Sequence, residues 1–147
     1  MNAAPGRARI SAASFGLVVL GGFFGVAARE GLSLAVPDVD GVPVVITLVN
    51  VVGAFLLGFL YEGLARRAPG EAVVSRLKLL LGTGFCGGLT TYSSLATDTA
   101  VLLDRSRLDL GAAYVLGTVL LGAAATFAGI ALGARLRGPT RTGEGVA

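Results

Sequence analysis

Apolar residues gather into four long runs, Ile10–Ala28, Gly41–Tyr61, Leu79–Thr97 and Leu110–Ala134, and none of these contains a charged residue. A hydrocarbon core roughly 30 Å thick is crossed by about 20 helical residues, so each run is long enough to span a bilayer. The connections are short and no linker separates two halves. The pattern therefore predicts an all-α membrane protein with four transmembrane helices, forming a single four-helix domain over residues 1–147. The first run, flanked by Arg7 and Arg9, resembles a signal peptide only superficially. Its apolar stretch is longer than a typical signal core and is interrupted by glycines, so a retained helix is expected.

The third run departs from a plain lipid-facing pattern. Between Gly82 and Thr97 it reads GTGFCGGLTTYSSLAT, a cluster of glycines followed by five consecutive hydroxyl residues, Thr90 to Ser94. An unpaired backbone amide or carbonyl in hydrocarbon costs several kcal/mol, so weakened, glycine-rich helix is tolerated there only where protein, water or an ion meets it. The pattern predicts a third helix broken in mid-membrane, with an ion or substrate at the break. A continuous helix with its hydroxyls bonded back to its own carbonyls is the alternative. A phosphate-binding loop is excluded, because it needs a lysine beside the hydroxyl and a preceding soluble strand.

Composition narrows the chemistry. The chain is 54% hydrophobic and 14% charged, with no His and a single Cys, and its mean hydropathy is +0.79. Cys86 has no partner for an internal disulfide. Neither a transition-metal cluster nor a nucleophile with a histidine base can be assembled, and no carboxylate falls inside the four runs, so no enzyme is expected. Of the 12 basic residues, Arg7, Arg9, Arg66, Arg67, Arg76, Lys78, Arg135, Arg137 and Arg141 fall on one side of a four-span topology, and Arg29, Arg105 and Arg107 on the other. The positive-inside rule then places both termini in the cytoplasm of a cell membrane. The basic balance follows from these anchors, and nothing in the chain signals nucleic-acid binding.

A few polar positions in the other runs bear on an ion path. Asn50 is the one side-chain amide in any run; it either bonds to a neighbouring helix or donates to a partly dehydrated anion without trapping it by charge. Arg29, at the end of the first run, is either a snorkelling anchor or the basic lining of an anion vestibule. Tyr114, Thr118 and Gly122 recur at four-residue spacing and share one helical face. Gly21 and Gly25 form a small-residue surface for close helix packing.

Taken together, GGFFGVAAR, TLVNVVGAFLLGFL, GFCGGLTTYSS and the Tyr114–Thr118 pair resemble the CrcB/Fluc family of fluoride channels over about Gly21 to Gly133. The resemblance implies an antiparallel, dual-topology-type dimer that lets fluoride leave the cytoplasm passively. It also implies a structural, non-transported Na⁺ at the dimer centre, held by backbone carbonyls at Gly87 and Thr90. It places Arg29, Asn50, Tyr92, Tyr114 and Thr118 on the fluoride path, with Thr91 and Ser94 beside it. Where the family has two phenylalanines after the threonine pair, this chain has Tyr92 and Leu95, and Gly122 stands where a hydroxyl is common. The uneven loop charge argues for one fixed orientation, and so for pairing with a related subunit of opposite orientation. Two alternatives stand beside this reading. One is a non-conducting partner subunit of a heterodimeric channel. The other is a small multidrug-type transporter, which should carry a membrane-embedded carboxylate.

Overall fold

The computed structural model describes residues 11–67 and 70–136. Of the basic anchors, Arg7, Arg9, Arg137 and Arg141 lie outside the described residues, as do Ile10 and the side chain of Arg67. The elements are α1 (Ala12–Ala35), α2 (Val44–Arg67), α3 (Glu71–Leu77), a π-helix (Lys78–Cys86), α4 (Gly87–Leu89), α5 (Tyr92–Asp104) and α6 (Leu108–Ala134). Four helical runs are long and apolar enough to cross a membrane, and the third comprises α3, the π-helix, α4 and α5.

The helices extend beyond the charge-free runs, because a helix satisfies its backbone wherever it continues. Thus α1 passes through Arg29 and Glu30 and stops at Ala35, ahead of Pro37. It starts from Ser11, whose hydroxyl accepts the Ser14 amide at 3.1 Å, a side-chain cap for an otherwise orphan donor. Gly41 and Val42, included in the second apolar run, lie outside α2. Asp40 and Gly41, with φ of 53° and 78°, form a two-residue turn closed by paired bonds of 3.0 and 2.9 Å between Val39 and Val42. Positive φ at both central residues is what such a tight hairpin turn requires.

α5 ends in a left-handed cap. The Arg107 amide donates to Leu102 at 2.9 Å and the Ser106 amide to Leu103 at 3.0 Å, with Ser106 at φ 60°. This position normally takes glycine. Ser106→Gly should stabilise the fold by about 0.5–1 kcal/mol, seen as a higher thermal midpoint in detergent; a lower midpoint would contradict the strain.

Packing is glycine-driven. α1 lies along the π-helix and α4, and α2 along α6. A Cβ on Gly21 would overlap the Leu80 carbonyl oxygen, one on Gly25 the Phe85 oxygen, and one on Gly88 the Gly22 oxygen. Across the other pair, a Cβ on Gly129 would overlap the Phe55 oxygen, and one on Gly133 would lie 3.0 Å from that of Phe59. Lipid tails are as apolar as leucine, so helices associate in membranes by such close backbone approach. Large apolar side chains accordingly point outward, including Phe15, Phe23 and Phe24 on α1 and Leu116, Leu120 and Phe127 on α6.

The small apolar core lies on two neighbouring stripes of α2. Val45 and Val49 pack with Leu89 of α4, while Ile46 packs with Leu95 and Leu102 of α5 and Tyr114 of α6. These stripes flank the junction between α4 and α5, so α2 holds both sides of it in place.

Candidate ion site

Leu89 ends α4, and the next two residues are extended: Thr90 at φ −81°, ψ 152° and Thr91 at φ −149°, ψ 121°. Helical bonding stops there, and side chains take over the released groups. The Thr91 amide donates to Asn50 Oδ1 at 2.7 Å, and Asn50 Nδ2 donates to the Thr91 carbonyl at 3.1 Å. One amide side chain thus pairs with a single residue's backbone as a neighbouring strand would. The Thr91 hydroxyl accepts the Ser94 amide at 3.2 Å and so caps α5. On the other side of the junction, the Thr90 amide and hydroxyl both donate to the Cys86 carbonyl, at 3.0 and 2.8 Å.

These diversions leave carbonyls free. The Thr91 amide, which in a continuing helix would bond to Gly87, is committed to Asn50. The Ser94 amide, which would bond to Thr90, is committed to the Thr91 hydroxyl. The Gly87 and Thr90 carbonyls therefore lose their helical partners. The Gly88 carbonyl has its own partner, Arg29 Nε at 3.3 Å.

A groove of ≈ 460 Å³ opens at the junction, and Gly87, Thr90, Asn50, Thr91, Tyr92 and Thr118 are among its lining residues. The structure brings these six residues, chosen from three separate apolar runs, to one place. Asn50 uses one Nδ2 hydrogen on Thr91, which leaves the other to donate. Tyr92 is 82% exposed, with its ring on the rim. Leu95 also lines the groove yet is 4% exposed, since it belongs to the core around Ile46.

Three residues chosen from sequence are arranged differently. Arg29 does not line the groove: its guanidinium lies against the end of α4, bonds Gly88, and pairs with Glu30 at 2.7 Å. Ser94 turns inward to the Thr91 hydroxyl at 3.2 Å. Tyr114 is buried, and its hydroxyl donates to Asp98 Oδ2 at 3.2 Å. The Thr118 hydroxyl donates to the Tyr114 carbonyl at 2.7 Å and lies 2.8 Å from the Thr47 hydroxyl, so its proton is already committed.

Asp98 is the residue that sequence reasoning missed. The charge-free run ends at Thr97, but α5 continues to Asp104, which places a carboxylate within the third membrane-length helical run. Its position one turn beyond Ser94 was the available signal, together with a buried tyrosine hydroxyl in need of a partner. Thr83 and Thr126 also line the groove. Thr126 continues the four-residue series of Thr118 and Gly122, and Thr83 lies two turns before Thr90.

A family model described as CrcB-like protein, Camphor Resistance (CrcB), matches residues 16–130. The chain is similar to proteins named fluoride-specific ion channel. One, from Leifsonia xyli, is 48% identical over 120 residues, covering 82% of this chain and 83% of the relative. One from Chlorobium phaeobacteroides is 42% identical over 118 residues, covering 79% and 88%. A third, from Methanopyrus kandleri, is 40% identical over 123 residues, covering 84% and 91%.

Proposed function

The chain belongs to the CrcB family of multi-pass membrane proteins, and from that premise we propose that it is a fluoride channel whose ion path runs along the groove at the α4–α5 junction. The observation that carries this reading is the meeting of Asn50, Thr91, Tyr92 and Thr118 in one groove beside interrupted helix. Fluoride is the conjugate base of a weak acid: neutral HF enters from acidic surroundings and ionises in the cytoplasm, where the anion is trapped. A passive path suffices for its exit, since an inside-negative potential favours outward movement by about 2.3 kcal/mol per 100 mV.

The path must replace strong hydration by several modest contacts. The spare Asn50 hydrogen is a neutral donor, and the positive edge of the Tyr92 ring contacts a small anion without holding it. Thr118, whose proton is held by the Tyr114 carbonyl, and Tyr114, whose hydroxyl donates to Asp98, brace the wall of the path and give the anion no donor of their own. Thr91 and Ser94 shape the junction, and Arg29, its charge met by Glu30, ties α1 to the end of α4. Both termini lie in the cytoplasm on this reading.

The residues also fit a structural Na⁺. The Gly87 and Thr90 carbonyls are released from helical bonding and both residues line the groove; they would supply the hard oxygen donors that an alkali cation requires. In an antiparallel dimer the same pair from each subunit would hold the ion, which supplies a fixed positive charge joining the two junctions. Removing Na⁺ should then lower thermal stability. At free Na⁺ a hundredfold above its Kd the stabilisation is about 2.7 kcal/mol, read as a midpoint higher in Na⁺ than in N-methylglucamine. Equal midpoints would remove the ion from the proposal.

The bias of basic residues and the Leu95 position favour a dimer with a related subunit of opposite orientation. The test is fluoride efflux from vesicles holding this chain alone or with such a subunit, with chloride as the control anion. Fluoride-selective efflux that needs both chains supports the arrangement. Undiminished efflux from this chain alone removes the second subunit, and absence of efflux from both folded preparations removes the channel reading. The non-conducting alternative predicts efflux from the pair that Asn50 substitution in this chain leaves unchanged.

A further inference from the structure

The groove at the α4–α5 junction does not end there. Thr83 lines it and also lines a second hollow, between the later part of α2 and the π-helix, whose walls include Tyr61 and Lys78. Tyr61 borders a third hollow, which shares Leu57 and Thr126 with the first. A polar surface thus runs from Asn50 past Thr126, Thr83 and Tyr61 to Lys78.

The π-helix sets Thr83 and Lys78 on this surface. Its i→i+5 bonding brings residues five apart onto one face, whereas in an α-helix these two would diverge. Thr90, Thr99, Thr118 and Thr126 each donate to the carbonyl four residues earlier. The Thr83 hydroxyl makes no such bond and has no protein partner among the described residues, so its donor is left for water or an ion. Lys78 directly precedes the charge-free run that begins at Leu79 and is half-buried, with its ammonium 5.0 Å from the centre of the Tyr61 ring. The ring attracts that charge without neutralising it. Among the described residues no carboxylate oxygen lies within ion-pairing distance of Lys78, whereas nearby Arg66 is paired with Glu62 at 2.6 Å. Glu71, at the loop end of the second hollow, is exposed two helical turns before Lys78, where water and salt screen it.

We propose that this surface is the cytoplasmic limb of the fluoride path, in which Lys78 draws the anion in and the Thr83 hydroxyl donates to it on its way to Asn50. This limb rests on the channel reading and extends it toward the cytoplasm. The loop between α2 and α3 lies on the same side of a four-span topology as the termini, the side from which the trapped anion leaves. A fixed positive charge beside low-dielectric walls raises the local anion concentration, and a neutral hydroxyl supplies one more modest contact in exchange for hydration.

The test is the initial rate of fluoride efflux from vesicles holding the preparation that conducts, with ionic strength set by N-methylglucamine gluconate at constant Na⁺. Lys78→Gln should lower the rate about tenfold near an ionic strength of about 0.01 M, where screening extends about 30 Å, and less than about twofold near 1 M, where it extends about 3 Å. Lys78→Arg should keep the wild-type rate. Arg76→Gln, an equal loss of charge on α3 outside the hollow, should change it less than about twofold. Thr83→Val should lower the rate about tenfold, the loss of one hydrogen bond to a charged group, at an unchanged thermal midpoint, while Thr83→Ser keeps the rate. Wild-type rates in Lys78→Gln or Thr83→Val, or a Lys78→Gln loss that salt does not diminish, overturn this limb and leave the ion groove standing. Absence of efflux from the wild-type chain, alone and with the second subunit, removes the groove and the limb together.

Discussion

Gly25→Ala should destabilise the protein by about 1–3 kcal/mol and reduce fluoride efflux with it. The added methyl would overlap the Phe85 carbonyl oxygen and lie 2.8 Å from the Leu89 amide nitrogen and 3.1 Å from the Gly88 carbonyl carbon. All of these are backbone atoms, so no side chain can swing away. Relief requires α1 to part from α4, and Arg29, one turn further along α1, then loses the Gly88 carbonyl. Gly117 provides the contrast. Nothing lies within 4 Å of a Cβ there, so Gly117→Ala should leave stability unchanged or raise it by up to about 1 kcal/mol through helix propensity. Heating each variant before size-exclusion chromatography gives the comparison, and equal behaviour of the two would mean that the close approach at Gly25 is unimportant.

Asn50→Ala should reduce efflux to near background and lower the thermal midpoint. It removes both partners of the Thr91 backbone, and each buried group left unsatisfied costs about 1–3 kcal/mol. Stability and conduction fall together in that variant, so Asn50→Asp is needed to separate them. The carboxylate still accepts the Thr91 amide, but it faces the Thr91 carbonyl and places a negative charge beside the path. A smaller loss of stability is expected, with efflux as low as in the alanine variant. An Asp variant that restores efflux in proportion to stability would reduce Asn50 to a scaffold.

Much of this could be read from sequence because lipid imposes few and strict rules. Four charge-free runs suffice to locate four helices, and a glycine–hydroxyl patch inside one of them marks unusual backbone. The precise partners were less accessible. Asn50 was open to a structural or an ionic role, and which of its bonds exist depends on how α2 lies against Thr91, separated by 41 residues. Arg29 read as the end of a helix that in fact continues six residues further, because the end of an apolar run marks the edge of hydrophobic sequence and not the last hydrogen bond. Asp98 was missed for the same reason, one residue beyond a run defined by the absence of charge. The glycine contacts were legible as a motif on α1. That the opposing surface is the backbone of a π-helix was not, since i→i+5 bonding has no distinctive residue pattern.

The two side chains that reach the α4–α5 junction from other membrane-length helices both come earlier in the chain than the groups they satisfy. Arg29 precedes Gly88 by 59 residues and Asn50 precedes Thr91 by 41. A ribosome delivers the chain from its N-terminus, so α1 and α2 are made before the junction leaves the exit tunnel. The polar backbone of Thr91 thus emerges to find its partner already synthesised, and it need not wait unpaired for a later helix. The order of the helices along the gene is itself a protection during biogenesis, one that a circular permutant starting at α3 would forfeit while keeping every contact of the finished fold.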